Sequence, residues 1–108
     1  MASGYTISAS KTISASPARL FHAWMDDSDL RQWLAGAKFT IRKVTDRKLI
    51  RLDWDGGKSR VDVGFLPRGR NKTQMGVGHA RLRDRKEAER MKLYWTKRLE
   101  QLKTLVEK

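Results

Sequence analysis

The 108-residue sequence contains no cysteine, which excludes disulfides, thiolate catalysis and cysteine-ligated metal centres. Only 2 histidines are present. They are His22 and His79, and of the two only His22 has a carboxylate at helical spacing, Asp26. One His and one Asp are too few for a closed zinc site, so neither a metal nor another cofactor is expected. No stretch approaches the roughly 18 consecutive apolar residues of a membrane span. The N-terminus lacks the basic-then-apolar pattern of a secretory signal. Those two absences predict a cytoplasmic chain with no membrane span. Gly64, Gly69, Gly76 and Gly78 do not lead from a strand into a helix N-terminus, as a phosphate-cradling loop requires. No nucleophile-elbow pattern occurs and no serine or threonine is marked as paired with a base. No catalytic residue is assigned, and the chain reads as a binding module rather than an enzyme.

What the sequence has in excess is positive charge, +12 from 24 Lys and Arg against 12 Asp and Glu. A large basic surplus raises nucleic acid as a partner. The charge is dispersed along the chain, however, and its most one-sided stretch runs only from Lys58 to Lys72. Stacking on bases needs exposed aromatics among the basic residues, and the aromatics here fall on the apolar parity. Nucleic acid is therefore the weaker alternative.

The pattern along the chain predicts an α+β domain over 1–108. Tyr5, Ile7, Ala9 and Ile13 alternate with Thr6, Ser8, Ser10 and Thr12, a half-buried strand in which Lys11 breaks the apolar parity. Ser16 and Pro17 form an N-cap and first helical residue ahead of Leu20, Phe21 and Trp24. The cluster Asp26, Asp27, Ser28 and Asp29 ends that helix and caps a second, carrying Leu30, Trp33 and Leu34 and stopping near Gly36. Four inward sets follow: Phe39 and Ile41; Ile50, Leu52 and Trp54; Val61, Val63 and Phe65; Thr73, Met75, Val77 and His79. Turn residues separate them, so an antiparallel meander is expected.

Asp84 caps a final long helix, with Glu87 in the capping-box position. Ala88, Met91, Trp95, Leu99, Leu102 and Val106 form its apolar stripe, widened by Tyr94 and Leu105. A helix of some 24 residues spans roughly 36 Å at its rise per residue, so it must lie across several strands.

Three segments carry a family resemblance: Lys11 to Leu34, Ser59 to Phe65 and His79 to Glu107. With the Ser-Pro start, the Ala23–Trp24 dipeptide, Trp33 and Trp95, they resemble the activator of heat-shock protein 90 ATPase homologue-like family of the START-like, SRPBCC superfamily. The resemblance implies a helix-grip fold, here a curved antiparallel sheet of about five strands. It marks the chain as a shortened member, lacking a strand pair that relatives carry. It also implies a cavity between sheet and helix and, for some relatives, a chaperone partner of the heat-shock protein 90 type or a cyclase- or hydrolase-like activity.

The expected ligand is a small apolar or amphipathic molecule, or a protein segment. Candidate cavity-lining residues are Trp24, Trp33, Ile50, Trp54, Val63, Phe65, Met75, His79, Met91 and Trp95. Core packing is the competing role for the tryptophans, since Trp supplies buried area. Lys11 and His79 are expected to meet at one end of the concave face as a polar anchor. The outward glycines Gly76 and Gly78 suggest a smooth face for a homodimer contact.

Overall fold

A computed structural model describes residues 4–107. The order is β1 (Tyr5–Ile13), α1 (Pro17–Met25), α2 (Asp27–Trp33), β2 (Phe39–Thr45), β3 (Leu49–Trp54), β4 (Ser59–Pro67), β5 (Thr73–Leu82) and α3 (Arg85–Val106). The five strands form one antiparallel sheet in the order β1-β5-β4-β3-β2. β1 thus crosses to pair with the last strand, while α1 and α2 carry the chain to the far edge.

Local chemistry explains each boundary. The Ser16 hydroxyl accepts from Arg19 N at 3.1 Å with Pro17 at the first helical position, satisfying an otherwise orphaned N–H. The Asp26 carboxylate accepts from Asp29 N at 2.9 Å and so opens α2 one residue after α1 ends. Asp84 accepts from Glu87 N at 2.8 Å, while the Glu87 carboxylate reaches back to Arg83 N at 2.6 Å. That is a capping box displaced by one residue, since the return bond goes to the residue before the cap. Gly4 has φ +101 at the start of β1, and a Cβ there would lie 2.7 Å from the Leu82 carbonyl oxygen. Only glycine fits that approach.

The sheet's inner face and α3 bury most of the alternating sets predicted from the sequence, with Ile7, Phe39, Ile41 and Trp54 partly buried and Tyr5, expected inward, exposed at the start of β1. Ile13, Ile50, Val61, Val63 and Met75 have no exposed surface, and Leu99 and Leu102 of α3 have essentially none. Each such aliphatic side chain contributes about 1.5–3 kcal/mol through burial. Among the strands the α3 backbone lies nearest β1 and β5, and Trp95 and Tyr94 reach across to Trp54 on β3, at ring separations of 5.1 and 5.9 Å. Alternation would turn Leu82 outward, because it stands an odd number of residues beyond His79. A bulge prevents this: between the pairs Tyr5–Leu82 and Ile7–His79, Ala80 and Arg81 together face Thr6. Leu82 is thereby returned to the core.

Among the described residues, no helix is long and apolar enough to cross a membrane.

Candidate functional site

The ten candidate residues meet on the inner face, but they meet as a packed core. Trp24, Trp33, Ile50, Val63, Met75, His79 and Trp95 have no exposed surface, Phe65 and Met91 are buried, and Trp54 is half-buried. The four tryptophans form one chain of contacts, with Trp24–Trp33 at 4.8 Å, Trp24–Trp95 at 6.1 Å and Trp54–Trp95 at 5.1 Å. Phe39 stacks on Trp54 at 6.0 Å and edges onto Trp24 at 6.1 Å. Phe65 stands apart from this cluster, pairing with Phe21 at 5.9 Å and opposite Met75 in the sheet. The indoles therefore occupy the middle of the space beneath α3.

At one end of that core lies a polar triad. Trp95 Nε1 donates to His79 Nδ1 at 3.0 Å, and His79 Nε2 lies 2.8 Å from Ser59 Oγ. An indole N–H can only donate, so Nδ1 must be the acceptor nitrogen; the imidazole proton then resides on Nε2 and is donated to Ser59. Burial in this apolar setting pushes His79 down to about 4, against a small opposing pull from Glu87. The bond from Trp95 works in the same direction as burial, since protonating Nδ1 would break it. A serine–histidine pair acts as nucleophile and base only when histidine accepts the serine proton. Here the tautomer is reversed, so Ser59 and His79 do not constitute such a dyad.

The triad opens to solvent through a recess of about 340 Å³ between the β3–β4 turn, the end of β5 and the first turns of α3. Trp54, Ser59, His79, Leu82 and Met91 form its floor and walls. Its rim carries Lys58, Arg81, Arg83 and Arg90 with Asp55 and Glu87. Ser59 and Arg81 join the site without being among the sequence candidates. Ser59 was legible in principle, since it precedes Val61, Val63 and Phe65 at the same parity; Arg81 was not, because the bulge that places it leaves no pattern. A second recess of about 570 Å³ lies between the two short helices and β2, lined by Trp24, Leu30, Leu34, Phe39 and Ile41 among others. Trp24 Nε1 is buried without a hydrogen-bond partner among the described residues, whereas Trp33 Nε1 donates to the Ala23 carbonyl at 2.9 Å.

The expected meeting of Lys11 and His79 does not occur. Lys11 stands opposite Met75 while His79 stands opposite Ile7, so the two lie at different levels of the β1–β5 ladder. Lys11 instead pairs with Glu100 of α3. His22, Asp26 and Asp29 bring ligand atoms within 4.8 Å of one another. The Asp29 carboxylate is already engaged, by Arg19 at 2.7 Å and His22 at 3.0 Å. Burial pushes Asp29 up, but these two bonds outweigh it and hold the carboxyl below its ordinary value. A guanidinium inside the cluster supplies the positive charge that a metal ion would. On the outer face, a Cβ on Gly64 or Gly78 would meet nothing, and one on Gly76 would meet only Ser10 Cβ at 4.0 Å.

A family model described as activator of Hsp90 ATPase homolog 1-like protein matches residues 35–107. The chain belongs to this family. No curated protein matches the sequence. Among solved structures, the Aha1 dimer from Colwellia psychrerythraea superposes with TM-score 0.82 at 16% identity, over 92% of this chain and 93% of that one. A Mesorhizobium loti protein gives TM-score 0.85 at 16% identity, covering 95% and 97% of the two chains. An Hsp90 activator from Plasmodium falciparum gives TM-score 0.80 at 18% identity, covering 95% and 96%. Identities this low establish the helix-grip fold and nothing finer. As an Aha1-like protein the chain is a short member, with five strands in its sheet.

Proposed function

We propose that the chain works as one START-like domain, a non-catalytic binding module that takes a small amphipathic ligand at the rim of the grip rather than in its middle. The observation that carries this reading is the recess beside Trp54, His79 and Met91, which borders a core otherwise filled by indole rings. Its size lies within the range of small-molecule sites, and it sets an apolar wall of Trp54, Leu82 and Met91 against a polar and charged rim, a division that suits an amphipathic molecule. The test is energy transfer from tryptophan to anilinonaphthalene sulfonate. Saturable transfer that falls in a Trp54→Phe variant supports the reading, and absence of saturable binding by the full chain contradicts it.

A chaperone partner is the second reading, favoured by the family and by the likeness to an Hsp90 activator. Stimulated ATPase activity on mixing with an Hsp90-type chaperone supports it; unchanged activity at saturating chain counts against it. The Colwellia relative is a dimer, and the bare glycine face around Gly64, Gly76 and Gly78 is the surface we assign to a homodimer here. Sedimentation equilibrium decides that point. Nucleic acid is the least favoured partner: among the described residues Tyr5 is the only aromatic in the strongly exposed set, so stacking platforms are scarce.

A further inference from the structure

The recess beside His79 carries more positive charge than an apolar ligand requires, and two of its groups have no task inside the fold. Four cations face two acids around its rim. Glu87 is occupied, accepting from Arg83 N and pairing with Arg90 at 3.5 Å. Lys58 and Arg81 make no ion pair among the described residues.

Arg81 is also held in an unfavourable backbone conformation. Its φ is +63, in the left-handed region that glycine enters freely and other L-residues enter at a cost. It occupies that position within the bulge opposite Thr6, and bulges re-aim side chains at functional edges of sheets. A strained, unpaired arginine where glycine would serve the backbone better points to a use for its guanidinium.

Ser59 supplies the second, independent observation. Its oxygen accepts the His79 Nε2 proton, a direction fixed by Trp95. The serine's own proton is left to donate, and Ser59, more than nine-tenths buried, lines the recess. Trp95, His79 and Ser59 thus form a relay of donors that ends on a hydroxyl facing the pocket.

We propose that this recess binds a small amphipathic oxyanion, its carboxylate or phosphate held by the Ser59 hydroxyl and the Arg81 guanidinium and its apolar body against Trp54 and Met91. The inference rests on the ligand-binding reading above and names the ligand class. The Ser59 hydroxyl, its oxygen engaged by His79, keeps its proton to donate, and a guanidinium only donates, so an oxyanion satisfies both groups.

The experiment is a nuclear magnetic resonance titration of the full chain with octanoate, octyl phosphate and octanol. Octanoate or octyl phosphate should shift the amides of Ser59 and Arg81 and the Trp54 indole, with octanol at least about tenfold weaker. The tighter of the two anions identifies the head group. Arg81→Gly, which relieves the backbone strain, and Ser59→Ala should each weaken the better anion about tenfold, the value of one charge-assisted hydrogen bond. Octanol binding as tightly as the anions at the same residues would overturn the oxyanion inference and leave the ligand-binding reading standing. Unchanged anion affinity in Arg81→Gly would do the same. No response to any of the three compounds would remove both.

Discussion

Trp95 and His79 are joined by an indole-to-imidazole hydrogen bond of 3.0 Å that fixes which nitrogen of the histidine carries the proton. The bond links α3 to β5, so the helix that closes the core also sets the polarity of the recess at its edge. Replacing Trp95 with Phe keeps most of the buried area but leaves Nδ1 buried without a donor, at a cost of about 1–3 kcal/mol. Denaturant unfolding measures that cost. Long-range nitrogen–proton spectra should show the proton on Nε2 in the parent chain and a mixed tautomer in Trp95→Phe.

His79 also makes stability depend on pH. Its folded value is pushed to about 4 from an ordinary 6.5, so between those limits the unfolded chain binds more protons than the folded one. Stability is complete above pH 6.5, falls as pH drops from 6.5 to about 4, and gains no further loss from this group below that. The full contribution is about 3 kcal/mol. Unfolding free energies measured across this range should slope downward toward acid, and a His79→Gln variant should lose the slope.

The two short helices offer a paired test of buried indoles. Trp33 Nε1 is satisfied by the Ala23 carbonyl, whereas Trp24 Nε1 has no partner among the described residues. Both rings are fully buried, so substitution by Phe removes similar area at each. Trp33→Phe also strands a carbonyl, and it should be the more destabilising of the two by about 1 kcal/mol. Thermal or denaturant unfolding of both variants gives the difference directly.

Zinc should leave the protein's thermal midpoint unchanged. His22, Asp26 and Asp29 are close enough to suggest a site, but Arg19 holds the Asp29 carboxylate and a metal would have to displace it. The informative control is Arg19→Ala, in which a zinc-dependent shift would show that the guanidinium occupies the position of the ion.

Arg81→Gly should stabilise the fold by about 1 kcal/mol, because it replaces a left-handed arginine with the residue suited to that conformation. Calorimetry on the variant checks the sign. Higher stability together with weaker anion binding is the trade expected of a residue kept for function.

The architecture was legible in the sequence because its signals are local. Alternation from Ile7 to Ile13, the Ser16–Pro17 and Asp26 caps, the turn residues between strands and the stripe from Ala88 to Leu102 each act within a few residues and appear where expected, whereas Tyr5, expected on the half-buried face, is exposed beside the bulge at Thr6. Register is not local. Parity placed both Lys11 and His79 on the inner face, but only pairing places Lys11 opposite Met75 and His79 opposite Ile7. The bulge at Ala80 and Arg81 is a backbone choice that composition does not announce. The inward parity of Trp24, Trp54 and Trp95 was readable, yet whether their rings line a space or fill it depends on side-chain volumes meeting from α1, β3 and α3. Their rings meet across that space, Trp24 and Trp54 each packing on Trp95 at 6.1 and 5.1 Å. The inward parity of Ser59 with Val61, Val63 and Phe65 was readable, but its meaning comes from the His79 nitrogen it meets.

The central claim is that ligand binds at the rim and leaves the indole core intact. A crystal structure of the chain soaked in octanoate tests it most directly. The account predicts ligand density in the recess, with the carboxylate at Ser59 and Arg81 and with Trp24, Trp54 and Trp95 in their present contacts. Octanoate enclosed between α3 and the sheet, with Trp95 displaced from His79, would contradict it.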